Sequence, residues 1–125
     1  MPRLLDTLSL RMAAGSSSVI IARAGSGTIF EVASWGIPAI LIPIPQEVSH
    51  DQTENAFSYA RSGGASVIEQ HNLTPHVLAA EIDRLMRDLK LREEMQAAAK
   101  TFAQPEAARK IARMLLDIGL EHESV

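Results

Sequence analysis

With 125 residues, 46% of them hydrophobic and 22% charged, the chain has the size and balance of one soluble globular domain with a core of its own. It holds no cysteine, which excludes thiol nucleophiles, zinc knuckles, iron–sulfur clusters and redox pairs. Twelve Lys and Arg against fifteen Asp and Glu give a net charge of -3, so the overall charge does not draw the chain to nucleic acid or to an anionic membrane.

Taken in chain order, Leu4, Leu5, Leu8 and Met12 recur at helical spacing and predict a short amphipathic helix over Leu4 to Ala14. Asp6 interrupts the apolar stretch that a secretion signal needs, so the default address is the cytoplasm. Short β-branched runs follow at Ser18 to Ala22, Ala39 to Ile44 and Ala65 to Glu69, with helical spacing between them. Val19-Ile20-Ile21 and Ile40-Leu41-Ile42 do not alternate in polarity, which is what strands covered on both faces require. The pattern predicts an α/β three-layer architecture with about three parallel strands. The longest apolar run, Ile37 to Pro45, is broken by three prolines and does not insert into a bilayer.

Beyond the third strand the chain turns helical. Thr74 reads as an N-cap with Pro75 at the first helical position, followed by Val77, Leu78, Ile82, Leu85, Met86 and Leu89 on one face. A second helix sets Leu91, Met95, Ala98 and Phe102 on one stripe, and a third is expected to open at Pro105 and stop at Gly119, leaving a frayed tail. The whole of 1–125 reads as a single domain.

Two stretches can carry chemistry. In Arg23-Ala24-Gly25-Ser26-Gly27-Thr28-Ile29-Phe30-Glu31, the glycines let backbone N–H groups approach a phosphate at a helix N-terminus, and Glu31, a turn further on, can accept from a ribose diol. The alternative is structural: Thr28 and Glu31 have the spacing of a capping box. The second stretch is the polar loop Pro43 to Ala56, which leaves the same end of the sheet and carries Gln52 and Asn55. Its alternative is a helix near Gln52 capped by Ser49 or Asp51, with Asn55 pointing to solvent or bonded to the loop. The four histidines show no paired ligand spacing, so no metal is expected. Ser49, His50 and Asp51 are adjacent on a loop and do not converge as a hydrolytic triad.

The ordered set Arg23-Ala24-Gly25-x-Gly27-Thr28-x-x-Glu31, Gly36-x-Pro38, Ile40-Leu41-Ile42-Pro43, Gln52-x-x-Asn55-Ala56 and Gly64-Ala65 resembles the MurG family of bacterial glycosyltransferases across nearly the whole chain. The resemblance implies the later part of a GT-B C-terminal domain, a Rossmann-like half sheet with a helical tail. It implies transfer of N-acetylglucosamine from UDP-GlcNAc to a lipid-linked acceptor in peptidoglycan synthesis, with inversion and no cofactor. Residue by residue, Gly25, Ser26, Gly27 and Thr28 match the segment facing the diphosphate, Glu31 the acid on the ribose hydroxyls, Gln52 the glutamine reading the sugar, and Asn55 a position that supports it. The chain departs from the usual family pattern in having His50-Asp51 before Gln52.

No catalytic residue is assigned, because the family's acceptor domain is not in this sequence. The chain is therefore expected to be inactive alone and to need an N-terminal acceptor-binding subunit, which would bring it to the inner face of the plasma membrane. In the sheet order of such folds, Ser18 to Ala22 would border a missing strand, so a bare apolar edge and a homodimer are expected. The competing readings are a non-catalytic α/β interaction or scaffold module that keeps the fold without binding ligand, and a different GT-B enzyme such as an epimerase.

Overall fold

The computed structural model describes residues 10–14, 17–48 and 50–123. The elements run β1 (Leu10–Ala14), β2 (Ser17–Ala22), α1 (Ser26–Trp35), β3 (Ala39–Leu41), α2 (His50–Ser62), β4 (Ala65–Val67), a 3-10 turn (Gln70–Asn72), α3 (Pro75–Arg87) and α4 (Leu89–Glu123). β2, β3 and β4 lie side by side and parallel, with Ile20 opposite Ala39 and Ala39 opposite Ala65. This is the predicted α/β sheet.

Its two faces separate by the alternation of side chains along each strand. Ile20, Ala22, Ala39 and Leu41 pack with Ile29, Val32, Ala56 and Tyr59 from α1 and α2. Val19, Ile21 and Ile40 turn the other way, toward Leu85 of α3 and Met95 of α4. Both faces are therefore covered, which explains why β2 and β3 are apolar without a break. α4 contributes to both layers, with Met95 in one and Ala99 and Ala103 in the other.

Local chemistry ends and joins these elements. Gly36 closes α1 at φ 68°, a left-handed position that glycine adopts without strain, and its N–H donates to the Ala33 carbonyl at 3.0 Å. Thr74 caps α3 as predicted, its Oγ1 accepting from the Val77 N–H at 3.1 Å. At the α3–α4 corner the buried Arg92 donates through Nη1 to the carbonyls of Leu85 and Met86, while Asp88 accepts from the Leu91 N–H. The last carbonyls of one helix and an early N–H of the next are thus satisfied by side chains.

The structure corrects four expectations. Residues 10–14 form a strand antiparallel to β2, Leu10 opposite Ile21 and Ala14 opposite Ser17, rather than the end of an amphipathic helix. Residues 4–9 of that predicted helix lie outside the described residues. The unpaired N–H and C=O groups along β2 outweigh the weak helical preference of the preceding segment. β2 is consequently not a bare edge, and the ground for expecting a homodimer falls away. The second and third strands are also shorter than predicted, ending at Leu41 and Val67. Pro43 and Pro45 have no N–H to extend β3.

The predicted break at Pro105 and stop at Gly119 are absent: α4 is one helix through both residues. Pro105 removes the bond to the Thr101 carbonyl, but both residues are exposed, so that carbonyl can be solvated. Finally, Leu89 and Val77 do not join the α3 core face; they are 59% and 39% exposed.

Tyr59 is wholly buried under this layer, edge-on to Phe102 with ring centroids 4.8 Å apart. Gly64 makes room for it, since a Cβ there would lie 2.5 Å from the ring. The phenol hydroxyl has no partner among the described residues, and burial pushes its pKa up from 10.0 to about 12. The unfolded phenol ionises first, so its contribution to stability is intact below pH 10.0 and is lost as pH rises through about 12. Tyr59 is the one tyrosine in the chain, and phenolate absorbance reports it alone. We expect that absorbance to rise well above pH 10.0, together with loss of the helical circular dichroism signal. Titration at the free-tyrosine value with the fold intact would show that the hydroxyl reaches water.

Candidate functional site

The carboxyl ends of β2 and β3 open onto one crevice. Ala22 ends β2, and three residues later α1 starts with Gly25 as its N-cap, which offers no side-chain cap. The first helical bond is Ile29 N–H to the Gly25 carbonyl at 2.9 Å. The N–H groups of Ser26, Gly27 and Thr28 therefore have no carbonyl to meet within the helix, and the positive end of its dipole lies with them.

The capping-box reading fails on this geometry. Thr28 is the third residue of α1 and Glu31 lies in its second turn, so Thr28 is not the N-cap and Glu31 is not the third helical residue that the predicted box requires. α1 begins two residues ahead of Thr28 because the Gly25 carbonyl already accepts its first bond. The two glycines are not explained by the backbone either. Gly25 has φ -64° and ψ 147°, open to any residue. A Cβ on it would come no closer than 3.8 Å to the Gln52 Nε2, and one on Gly27 would meet nothing within 4 Å. The two absent side chains leave room at a helix end whose first N–H groups have no acceptor within the helix.

Gln52, half-buried in the first turns of α2, joins the two loops. Its Oε1 accepts from the N–H of Ala24 at 3.2 Å and from the N–H of Ile44 at 3.0 Å. Two donors on one oxygen fix the amide, and Nε2 is left facing Gly25. Asn55, one turn on, donates weakly from Nδ2 to the Ala24 carbonyl at 3.5 Å, which ties α2 to the glycine-rich segment rather than to its own loop. α2 begins at His50, so Asp51 lies within its first turn rather than capping a helix near Gln52. Ser49 lies outside the described residues. On the other side of the loop, Arg23 donates through Nη1 to the Ile42 carbonyl at 3.3 Å and to Gln70 Oε1 at 2.8 Å.

A cavity of about 740 Å³ opens between α1, α2 and α4. Of the residues singled out in the sequence, Ser26, Gly27 and Asn55 line it. Gly25 and Gln52 adjoin one another behind it, and Thr28 and Glu31 continue along α1. The far wall comes from α4 and includes Phe102, Arg109 and Arg113, none of which the sequence reading placed at the site. Pro105, Arg109 and Arg113 recur every four residues and so share a helix face. That spacing is legible in the sequence; which element the face meets is not.

The Gln52 bridge can be tested directly. Gln52→Leu leaves two N–H groups unpaired, one of them on the fully buried Ala24, and should lower the unfolding free energy by about 2 kcal/mol in urea titration. Gln52→Glu keeps the accepting oxygen and should recover most of that loss. An unchanged midpoint for the leucine variant would mean that both N–H groups find water.

A parallel sheet covered on both faces, with an uncapped helix N-terminus and a polar loop meeting at its strand ends, defines a Rossmann-like ligand-binding domain. The chain belongs to the glycosyltransferase family 28 C-terminal domain family, whose model matches residues 6–111. It is 41% identical over 93 residues to the UDP-N-acetylglucosamine--N-acetylmuramyl-(pentapeptide) pyrophosphoryl-undecaprenol N-acetylglucosamine transferase of Brucella melitensis biotype 2, covering 74% of this chain and 24% of the relative. The protein of the same name from Rhizobium leguminosarum bv. trifolii is 40% identical over 97 residues, 78% of this chain and 26% of the relative. The crystal structure of Acinetobacter baumannii MurG superposes with a TM-score of 0.63 at 36% identity, over 79% of this chain and 28% of that one. The chain thus spans about a quarter of the length of these relatives. Among the described residues, no helix is long and apolar enough to cross a membrane.

Proposed function

We propose that this chain is the donor-binding part of a MurG-like inverting glycosyltransferase that uses UDP-GlcNAc. The observation that carries the reading is the pair Gly25 and Gly27. Their backbone needs no glycine, and the room they leave lies at a helix end whose first N–H groups have no acceptor within the helix. A diphosphate supplies the negative charge and the acceptor oxygens that such a helix end lacks.

In this reading the Ser26, Gly27 and Thr28 N–H groups bind the diphosphate and take up charge that develops on the departing UDP. Glu31 accepts from the ribose hydroxyls. Gln52 is held by its oxygen in the fold, so its contribution to the sugar is donation from Nε2. Asn55 keeps the loop in register. No side chain here is assigned as a general base, and the acceptor site belongs to a partner subunit or domain. The relatives' names specify a pyrophosphoryl-undecaprenol acceptor. That lipid places the working assembly at the inner face of the plasma membrane, reached through the partner. On its own the chain is not expected to transfer sugar.

Calorimetric titration of the purified chain with UDP and UDP-GlcNAc, with CDP and ADP as controls, tests the proposal. We expect selective binding of the uridine nucleotides, and we expect Glu31→Gln to abolish it while the variant keeps its fold by circular dichroism. Equal binding of uridine, cytidine and adenosine nucleotides would overturn the uridine reading, and no binding at millimolar ligand would favour an α/β module that keeps the fold and has lost the ligand.

A further inference from the structure

The loop that follows β4 reaches the crevice through one side chain. Gln70 opens the 3-10 turn, and its backbone is fixed on both sides. Before it, the Ile68 N–H donates to the Leu41 carbonyl at 3.0 Å, carrying the β3–β4 ladder one residue past Val67; after it, the Leu73 N–H donates to the Gln70 carbonyl at 3.1 Å. From that fixed base Gln70 Oε1 accepts from Arg23 Nη1 at 2.8 Å.

Arg23 is half-buried and follows Ala22, the last residue of β2; its other neighbour is Ala24, whose N–H is held by Gln52. Its contact with the Ile42 carbonyl is long, at 3.3 Å, so the short bond to Gln70 is the one that fixes the guanidinium. A bond from an ionised donor is also stronger than one between neutral groups. The ends of β2, β3 and β4 thus meet at one side chain, two residues before the N-cap Gly25. The residues of α1 that pack in the core begin only at Ile29. Residues 24–27 therefore owe their placement to ties from outside α1, namely Gln52 from α2 and Gln70 through Arg23. Each such tie narrows the conformations a segment samples, so less freedom is lost when a ligand binds to it.

We propose that Gln70 is a positioning residue of this crevice: acting through Arg23, it holds residues 24–27 in the conformation that receives a diphosphate. It touches no ligand itself. The inference rests on the reading of the crevice as a nucleoside-diphosphate site and adds the loop after β4 to the elements that shape it. Gln70 is exposed, so its replacement leaves the core intact.

The test uses the full chain and the variants Gln70→Leu, Gln70→Glu, Arg23→Met and Arg23→Met/Gln70→Leu, each verified by circular dichroism, with uridine and UDP as ligands. Gln70→Leu should weaken UDP about fivefold and leave uridine unchanged. In the ligand-free chain it should also speed amide exchange at Ala24. Gln70→Glu keeps an accepting oxygen for the guanidinium and should recover most of the loss. In the Arg23→Met background the leucine substitution should weaken UDP no further. A Gln70→Leu chain with the parent's affinity for UDP overturns the proposal and leaves the donor reading standing. So does a loss that persists in the Arg23→Met background, because Gln70 would then meet the ligand itself. An equal loss of UDP and uridine also overturns it, since that marks loosening of the whole crevice. A parent chain that binds no UDP overturns the donor reading and this proposal with it, and the Ala24 exchange rates then show whether the tie alone survives.

Discussion

The crevice depends on one oxygen atom. Gln52 Oε1 ties the N–H of Ala24, just past β2, to that of Ile44, just past β3. Together with the bond from Arg23 to the Ile42 carbonyl and that from Asn55 to the Ala24 carbonyl, this bridge holds the two loops against one another. The oxygen lies beside the buried Ala24, where a lost hydrogen bond is costly and the loop conformation is accordingly well determined. The residue that the family resemblance marks as sugar-reading is therefore also a structural clamp.

Around that clamp the packing explains why α1 presents a clean N-terminus. Ile29, Val32 and Ala33 fasten α1 to the sheet, and Gly36 turns the chain sharply into β3. The helix is held along its buried side while its first three N–H groups remain outside the packing. Anchorage and availability are provided by different residues on the same ten-residue element.

Much of this was legible in the chain itself. Val19-Ile20-Ile21 and Ile40-Leu41-Ile42 announce doubly covered strands, and Thr74 with Pro75 marks a helix start that the structure places at the same residues. What could not be read depends on partners distant in sequence. β1 is a strand because β2 has a vacant edge, not because Leu10–Ala14 favours extension. Pro105 fails to break α4 because the carbonyl it orphans lies at the surface, which no local pattern reveals. The capping box in Thr28-x-x-Glu31 had the right spacing and the wrong helix start. Arg109 and Arg113 have visible periodicity, but their meaning comes from the helix opposite them.

The continuity of α4 has a mechanical consequence. At about 1.5 Å per residue its 35 residues make a rod about 50 Å long, held in the core by Met95, Ala99 and Ala103 and more exposed at the described residues of its far half. Ile111, Met114, Leu115 and Ile118 on that half are each about half exposed or more. Force applied there is transmitted along the helix to its clamped end, with the residues around Pro105 as the softest point of the beam. The part of the crevice wall formed by Arg109 and Arg113 lies beyond that point, on the far arm, and so moves with any load on it.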